Sequence, residues 1–297
     1  MDDNFVQSFQ LESSHIRGRI VRLGSAIEAI LNAHKYPDDV LHLTGETLAL
    51  CVMLSSMLKY DGVFTLQTSG DGPVKMLVAD MTSDGNIRAC ATYKHDEIDG
   101  AIYNTNRAEL LGKGYMAFTV DQGEFAERYQ GIVELKSESL TASVQHYFGQ
   151  SEQLGTGMMM SVGKVDGKWR ACGIMVQQMP EDTATYNKDQ SNVNEDDWRR
   201  TMILLSSVKE EEMLSSEIKA EELLFRLFHE EGVRVYEQKP LQNKCRCSVD
   251  RVTGVLSTMS QEDIDEITVD GKIVMTCEFC SRDYEIDPAT IEKGDAS

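Results

Sequence analysis

Cys245-Arg246-Cys247, followed after 29 residues by Cys277-Glu278-Phe279-Cys280, decides how the C-terminal part of this chain is read. Four thiols in two close pairs can close a tetrahedral all-sulfur zinc site, and each pair can also close a disulfide. Around them the pattern is short and local. Val233 to Tyr236 reads as a strand leading to the first pair, and Val252, Val255, Leu256 and Met259 share one helical face. Ser260 can cap a second helix carrying Ile264 and Ile267. Asp270-Gly271 turns the chain into a strand from Lys272 to Thr276, which delivers the second pair on a tight knuckle, with Tyr284 and Ile286 beyond it. A unit of about 57 residues (241–297) with so few large apolar side chains has little core. Metal binding would supply much of its folding free energy, on the order of 10 kcal/mol. The unit holds no histidine, so sulfur must hold any ion there. Lys244, Arg246, Arg251, Lys272 and Arg282 lie close enough in sequence to offset the charge of four thiolates and to keep the sulfurs reactive.

Three chemistries fit this motif. One is a structural zinc knuckle without further role. Another is a thiol–disulfide oxidoreductase using Cys277 and Cys280, which needs a βαβ frame around the pair and free thiols. The third is a metal-masked redox switch, favoured by the one-residue spacing of Cys245 and Cys247, because the small ring such a pair closes is strained and readily reduced.

The segment before the cysteines differs in charge. Residues 181–231 carry 14 acidic and 6 basic side chains, the densest part of a chain whose net charge is −20. After Pro180, residues 181–190 are polar and aperiodic and read as a loop. A helical stretch follows from about Glu195 to Glu231. Trp198, Met202 and Leu205 mark one apolar face; Leu214, Ile218 and Leu224 to Phe228 mark another. Ser207 with Glu210 fits a capping box between them. Two or three short amphipathic helices are expected, and short helices depend on docking for stability.

Further toward the N-terminus the pattern is mixed. Val6, Phe9 and Leu11 begin a strand, Gly18 to Leu23 continues one, and a helix starts near Ser25. Thr44 is expected to cap a buried helix through Leu48, Cys51, Leu54 and Leu58. From Val63 to Asp121 short β runs separated by Asp71-Gly72-Pro73 and Ser83-Asp84-Gly85-Asn86 suggest a meander, with further strands at 115–120 and 129–135. Ser137 with Leu140, Val144, Tyr147 and Phe148 reads as a helix, and Met158–Val162 with Trp169–Val176 as a hairpin closed by Asp166-Gly167. The expected fold class is α+β: a mixed N-terminal domain (1–180), a helical linker (181–240) and a small four-cysteine domain (241–297).

At 41% hydrophobic and 26% charged residues the composition is that of a soluble globular protein, and no apolar run approaches a membrane span. The net charge excludes nucleic acid and anionic membrane as main partners. Met1-Asp2-Asp3-Asn4 lacks a signal-peptide pattern, so a cytoplasmic location is expected. Cys51, Cys90 and Cys172 stand alone among apolar neighbours and are expected to be inert buried thiols. Gly112-Lys113-Gly114 lacks the spacing of a phosphate loop. Met158-Met159-Met160 reads as core strand, and His229 as a solvated helix end.

Taken together, Cys245-x-Cys247, the Cys277-Glu278-Phe279-Cys280 knuckle and the approach Glu222-Leu223-Leu224-Phe225-Arg226-Leu227-Phe228-His229-Glu230-Glu231 resemble the 33 kDa chaperonin family of redox-regulated heat-shock holdases. The resemblance covers essentially the whole chain, with similar stretches at Gly70-Asp71-Gly72-Pro73, Gly112 to Met116, Tyr129-Gln130-Gly131 and Ser151-Glu152-Gln153. Gly155 departs from it, standing where a proline is expected. The resemblance implies a non-enzymatic, ATP-independent chaperone that holds one Zn²⁺ through Cys245, Cys247, Cys277 and Cys280 when reduced and inactive. It further implies that oxidation joins Cys245 with Cys247 and Cys277 with Cys280, releases the metal, and unfolds the C-terminal unit and then the linker. The activated form would be a homodimer that binds unfolding clients and prevents their aggregation.

Overall fold

The computed structural model describes residues 3–98, 106–122, 129–136, 139–179 and 188–291. The chain divides into two compact units, Met1–Asn243 and Lys244–Ser297. In the first, the elements in order are β1 (Phe5–Leu11), β2 (Ile16–Leu23), α1 (Ser25–Asn32), α2 (Asp38–Ser55), β3 (Val63–Gly70), β4 (Val74–Thr82), β5 (Asn86–Tyr93), α3 (His95–Ile98), β6 (Gly114–Asp121) and β7 (Tyr129–Glu134). There follow α4 (Leu140–Tyr147), β8 (Thr156–Val165), β9 (Lys168–Gln178), α5 (Lys188–Ser206), α6 (Glu210–Leu214), α7 (Ala220–Phe228), β10 (Val233–Pro240) and β11 (Gln242–Asn243). Two sheets result, with strand orders β10-β1-β2-β9-β8 and β11-β5-β4-β3-β6-β7. The first is antiparallel throughout; in the second, only the short β11–β5 pair is parallel.

Helix α2 explains why the sheets come together. Its apolar residues surround the whole helix, from Val40 and Leu43 to Val52 and Leu54, and such a helix is stable only when covered on all sides. It packs on β2, β8 and β9 of one sheet and on β3, β4 and β5 of the other. The inner strands of the five-stranded sheet, β1, β2 and β9, are largely buried on both faces, whereas the edge strand β10 is exposed. Val21 and Leu23 of β2 enter the core around α2, while Ile16 and Ile20 enter a second core with Phe5, Phe9, Ile174 and Val176. That second core is closed by α5, α6 and α7, through Leu205, Met213, Leu223, Leu224, Leu227 and Phe228. Phe228 stacks on Phe9 with ring centroids 5.9 Å apart. Phe9 can lie there because its cross-strand partner is Gly18; a Cβ at that position would come 2.0 Å from the Phe9 ring.

Several local expectations hold and others need correction. The run from Val63 to Tyr93 is a meander, and β8–β9 is a hairpin whose Asp166 (φ 51°) and Gly167 (φ 75°) form the left-handed pair that a two-residue turn requires. Met158 is core, with Met159 and Met160 half-buried on opposite faces of β8. Thr44, however, lies inside α2, which begins after Pro37. Its hydroxyl donates to the Val40 carbonyl one turn back (2.7 Å), and Asp38 and Asp39 occupy the first turn. Ser207 does not cap α6 either: its hydroxyl donates to the Leu204 carbonyl, ending α5, while Lys209 is the N-cap and its amide donates to the Glu212 carboxylate. The loop expected at 181–190 falls outside the described residues up to 187, and from Lys188 the chain is already helical. Of the apolar side chains on the last linker helix, Phe225 points outward, 62% exposed, while its neighbours are buried. Ser137 also falls outside the described residues. At Gly155 a Cβ would come within 3.1 Å of Gln178 Oε1 and 3.3 Å of the Trp198 ring, a tight fit for any larger residue. Among the described residues no helix is long and apolar enough to cross a membrane.

The second unit contains α8 (Val249–Leu256), α9 (Gln261–Ile267), β12 (Ile273–Thr276) and β13 (Asp283–Ile286). Ser248 caps α8, its hydroxyl accepting from the Arg251 amide, and Ser260 caps α9 in a capping box with Asp263. The β12–β13 pair is antiparallel, entered through Asp270 (φ 51°) and Gly271 (φ 74°). Its fully buried apolar cluster among the described residues consists of Leu256, Ile264, Ile273, Tyr284 and Ile286.

Candidate metal centre

The second unit brings all four expected cysteines together. Their sulfurs lie within 4.8 Å of one another, half-buried, with Cys245 Sγ 3.7 Å from Cys277 Sγ and Cys247 Sγ 3.5 Å from Cys280 Sγ. A tetrahedron with metal–sulfur bonds of about 2.3 Å has edges of about 3.8 Å, so this donor set matches a four-coordinate, thiolate-bound ion in both number and spacing. Cys245 and Cys247 lie just after β11 and before α8; Cys277 and Cys280 lie on the connection between β12 and β13.

That connection is a tight knuckle. The Cys277 carbonyl accepts from the amides of Cys280 (3.3 Å) and Ser281 (2.8 Å), and the Cys277 amide donates to the Arg282 carbonyl (2.9 Å). Ser281 takes a left-handed φ of 52° to close the turn. Backbone amides of Phe279 and Cys280 then face the Cys277 sulfur, and that of Arg282 faces the Cys280 sulfur. Such donors favour thiolate. Burial acts in the opposite direction and dominates: it raises the Cys277 pKa and pushes that of Cys280 up to about 12. A positive ion is what would make four adjacent thiolates stable here.

Two residues outside the cysteine pattern complete the site. The Tyr284 hydroxyl, on β13, donates to Cys247 Sγ at 3.0 Å, and that bond raises the tyrosine's own pKa. The pKa of Arg282 is raised, first by its hydrogen bond to Tyr284 and to a lesser degree by the nearby Cys247 and Cys280 sulfurs. Of the five cations expected to offset the sulfur charge, Arg282 does so, whereas Lys272 is paired with Glu285 at 2.7 Å. The role of Tyr284 is invisible in sequence spacing, because it follows from the register that sets Met275 opposite Tyr284.

The other candidates stay outside this chemistry. Cys51, Cys90 and Cys172 are buried in the first unit. Burial pushes the Cys51 thiol well up and that of Cys172 to about 12, so they are protonated and unreactive. At Gly112-Lys113-Gly114 the Lys113 amide is taken by the Asp71 carboxylate at 2.7 Å, which is the opposite of an anion cradle. His229 is exposed at the end of α7.

Comparison with known proteins agrees with the resemblance drawn from the motifs. A sequence model described as "Hsp33 protein" matches residues 4–287. The 33 kDa chaperonin of Caulobacter vibrioides (strain NA1000 / CB15N) is 38% identical over 294 residues, covering 96% of this chain and 95% of the relative. That of Escherichia coli O17:K52:H18 is 35% identical over 277 residues, covering 93% and 89%. Among solved structures, the 33 kDa chaperonin of Thermotoga maritima superposes with a TM-score of 0.79 over 97% of this chain and 96% of its own; at 19% identity it speaks for the fold alone. Since the family match spans both compact units and full-length relatives exceed a third identity, the chain belongs to the Hsp33 family of chaperones.

Proposed function

We propose that the chain is a redox-regulated, ATP-independent holdase whose reduced state holds one Zn²⁺ through Cys245, Cys247, Cys277 and Cys280. The observation that carries this reading is four half-buried sulfurs at tetrahedral spacing in a unit whose buried apolar cluster is only five side chains. Bound zinc would supply the cross-link that so small a core lacks. Tyr284 holds Cys247 in place and Arg282 offsets charge at Cys247 and Cys280.

Oxidation by a peroxide removes the ligands in pairs. Each pair of thiolates gives two electrons to one molecule of hydrogen peroxide and forms one S–S bond, Cys245 with Cys247 and Cys277 with Cys280, while the peroxide takes up two protons from solvent and leaves as two waters. Four donors become none, and the second unit loses its cross-link. The chain reaches the first pair from α7 through β10, an edge strand of the five-stranded sheet, and then the two-residue β11 at the edge of the six-stranded sheet. Release of α7 and its neighbours would bare Leu223, Leu224, Leu227 and Phe228, apolar surface on an acidic segment, suited to unfolding clients and still soluble. The active form is a homodimer of the cytoplasm in this reading. Cys277 and Cys280 lie between two antiparallel strands rather than in the βαβ setting of a thioredoxin-like site, which favours the switch over an oxidoreductase.

The test is suppression of aggregation of a heat-unfolding client by reduced, zinc-loaded protein and by peroxide-treated protein, with a disulfide-turnover assay on the same samples. Protection by the oxidised form only is expected. Equal protection by the reduced form, or catalytic turnover with zinc retained, contradicts the reading.

A further inference from the structure

Two arginines on the five-stranded sheet hold the α6–α7 connection by its backbone. Arg22, on β2, is fully buried (1% exposed), and Arg170, on β9, is nearly so (14%). Arg22 Nη1 donates to the Ile218 carbonyl at 3.2 Å and Nη2 to the Ser215 carbonyl; Arg170 Nε donates to the Leu214 carbonyl at 2.7 Å. Both guanidinium groups also bond one carboxylate oxygen of Asp3, the Arg22 pair at 3.0 Å. The three carbonyls lie at the C-terminal end of α6 and in the turn after it, where a helix leaves its carbonyls without intrahelical donors. A buried guanidinium needs several acceptors and a counter-charge, and a helix end needs donors, so each side satisfies the other. Both donors lie on strands of the sheet and Asp3 lies just before β1, whereas the acceptors belong to the segment proposed to leave it.

We propose that Arg22, Arg170 and Asp3 form a polar latch for backbone carbonyls that keeps the α6–α7 connection docked, separately from the metal site. The inference rests on the holdase reading only for its consequence; the latch itself is a property of the first unit. Hydrophobic contacts of α7 favour burial without fixing where the helix lies, whereas three directed bonds to the carbonyls of Leu214, Ser215 and Ile218 admit one register, and the two bonds to Asp3 hold the guanidinium groups in place. With the latch cut, α6 and α7 would leave the sheet while the cysteines still hold their ion.

The full-length protein, reduced and zinc-loaded, decides this. Arg170→Gln and the double variant Arg22→Met/Arg170→Gln are compared with the parent by amide hydrogen exchange over residues 209–228, with α2 as internal reference and zinc content measured alongside. Losing charge-assisted bonds at the helix end is expected to speed exchange of 209–228 about tenfold or more, with α2 unchanged and zinc retained. Arg170→Lys is expected to recover part of the protection, since an ammonium can still reach one carbonyl. If the double variant loses α2 protection as well, Arg170→Gln, at the more exposed rim, gives the answer alone. Exchange of 209–228 unchanged in Arg170→Gln overturns the latch. Client protection by the zinc-loaded variants is expected without oxidant. A variant that releases 209–228, keeps zinc and captures no client supports the latch and contradicts the holdase reading instead.

Discussion

At the scale of single residues, the hydrogen bond from Tyr284 to Cys247 gives the most direct test of the candidate metal centre. Partners of a ligating atom fix its orientation, and removing one typically lowers metal affinity by about 10- to 100-fold. Tyr284→Phe keeps the buried ring and loses only the hydroxyl. Zinc competition against a chromogenic chelator is expected to show at least about a tenfold loss with the folded content of the unit unchanged; unaltered affinity would mean that the bond orients nothing. In the first unit, Glu231 is buried and accepts from Arg200 Nε at 2.5 Å and from the Ser13 hydroxyl at 2.7 Å. The Arg200 bond holds its carboxyl below the usual glutamate range. A carboxyl depressed in the folded state stabilises above its unfolded pKa, and the contribution is lost as pH falls through the folded value. The difference in unfolding midpoint between parent and Arg200→Gln should therefore be present at pH 7 and close below the ordinary glutamate pKa of about 4.3. A difference of equal size at pH 7 and pH 3 would assign the effect to packing of the arginine stem.

At the scale of elements, the helices of the second unit depend on their caps because so little is buried beneath them. Ser248→Ala and Ser260→Ala each remove an N-cap acceptor, a loss of about 1 kcal/mol. Chelator-induced unfolding should come at lower chelator concentration in each, and earlier still in the double variant. In the first unit, Gly18 is the position to probe. Gly18→Ala would push the Phe9 ring off its place against Phe228, and faster proteolysis within α7 is expected, with the core around α2 intact. Elements with a clear apolar stripe or a turn pair, such as α7, α9 and the β8–β9 hairpin, were legible in the sequence. Those bounded by tertiary context were not. α2 has no polar face, so nothing in its periodicity marked where it began, and Thr44 looked like a cap although its hydroxyl had a partner one turn back. The return of β6 to pair with β3 rather than β5 is a long-range choice that local spacing does not carry. The cysteine cluster was legible because four residues of one type in two close pairs suggest a shared site by themselves, and the structure brings their sulfurs together. Tyr284 and the Arg22–Asp3–Arg170 latch were not, because they depend on which strands lie side by side.

At the scale of the molecule, the division into Met1–Asn243 and Lys244–Ser297 places the four-cysteine cluster and the helices α5 to α7 in different units. The two sheets and α2 give the first unit an extensive core, while the second has five fully buried apolar side chains among its described residues. Removing the ion should therefore unfold residues 244–297 and leave the core of the first unit protected. Hydrogen exchange with and without chelator would display two separate responses, and loss of protection in α2 on chelation would contradict this independence. The proposed switch requires that metal, disulfides and client capture move together. Reduced, zinc-loaded protein titrated with peroxide, with released zinc, mapped disulfides and suppression of client aggregation followed in the same samples, tests that coupling. The expected result is one transition in which zinc leaves as Cys245–Cys247 and Cys277–Cys280 form and client protection appears. Client protection at full strength while zinc remains bound to the four cysteines would contradict it.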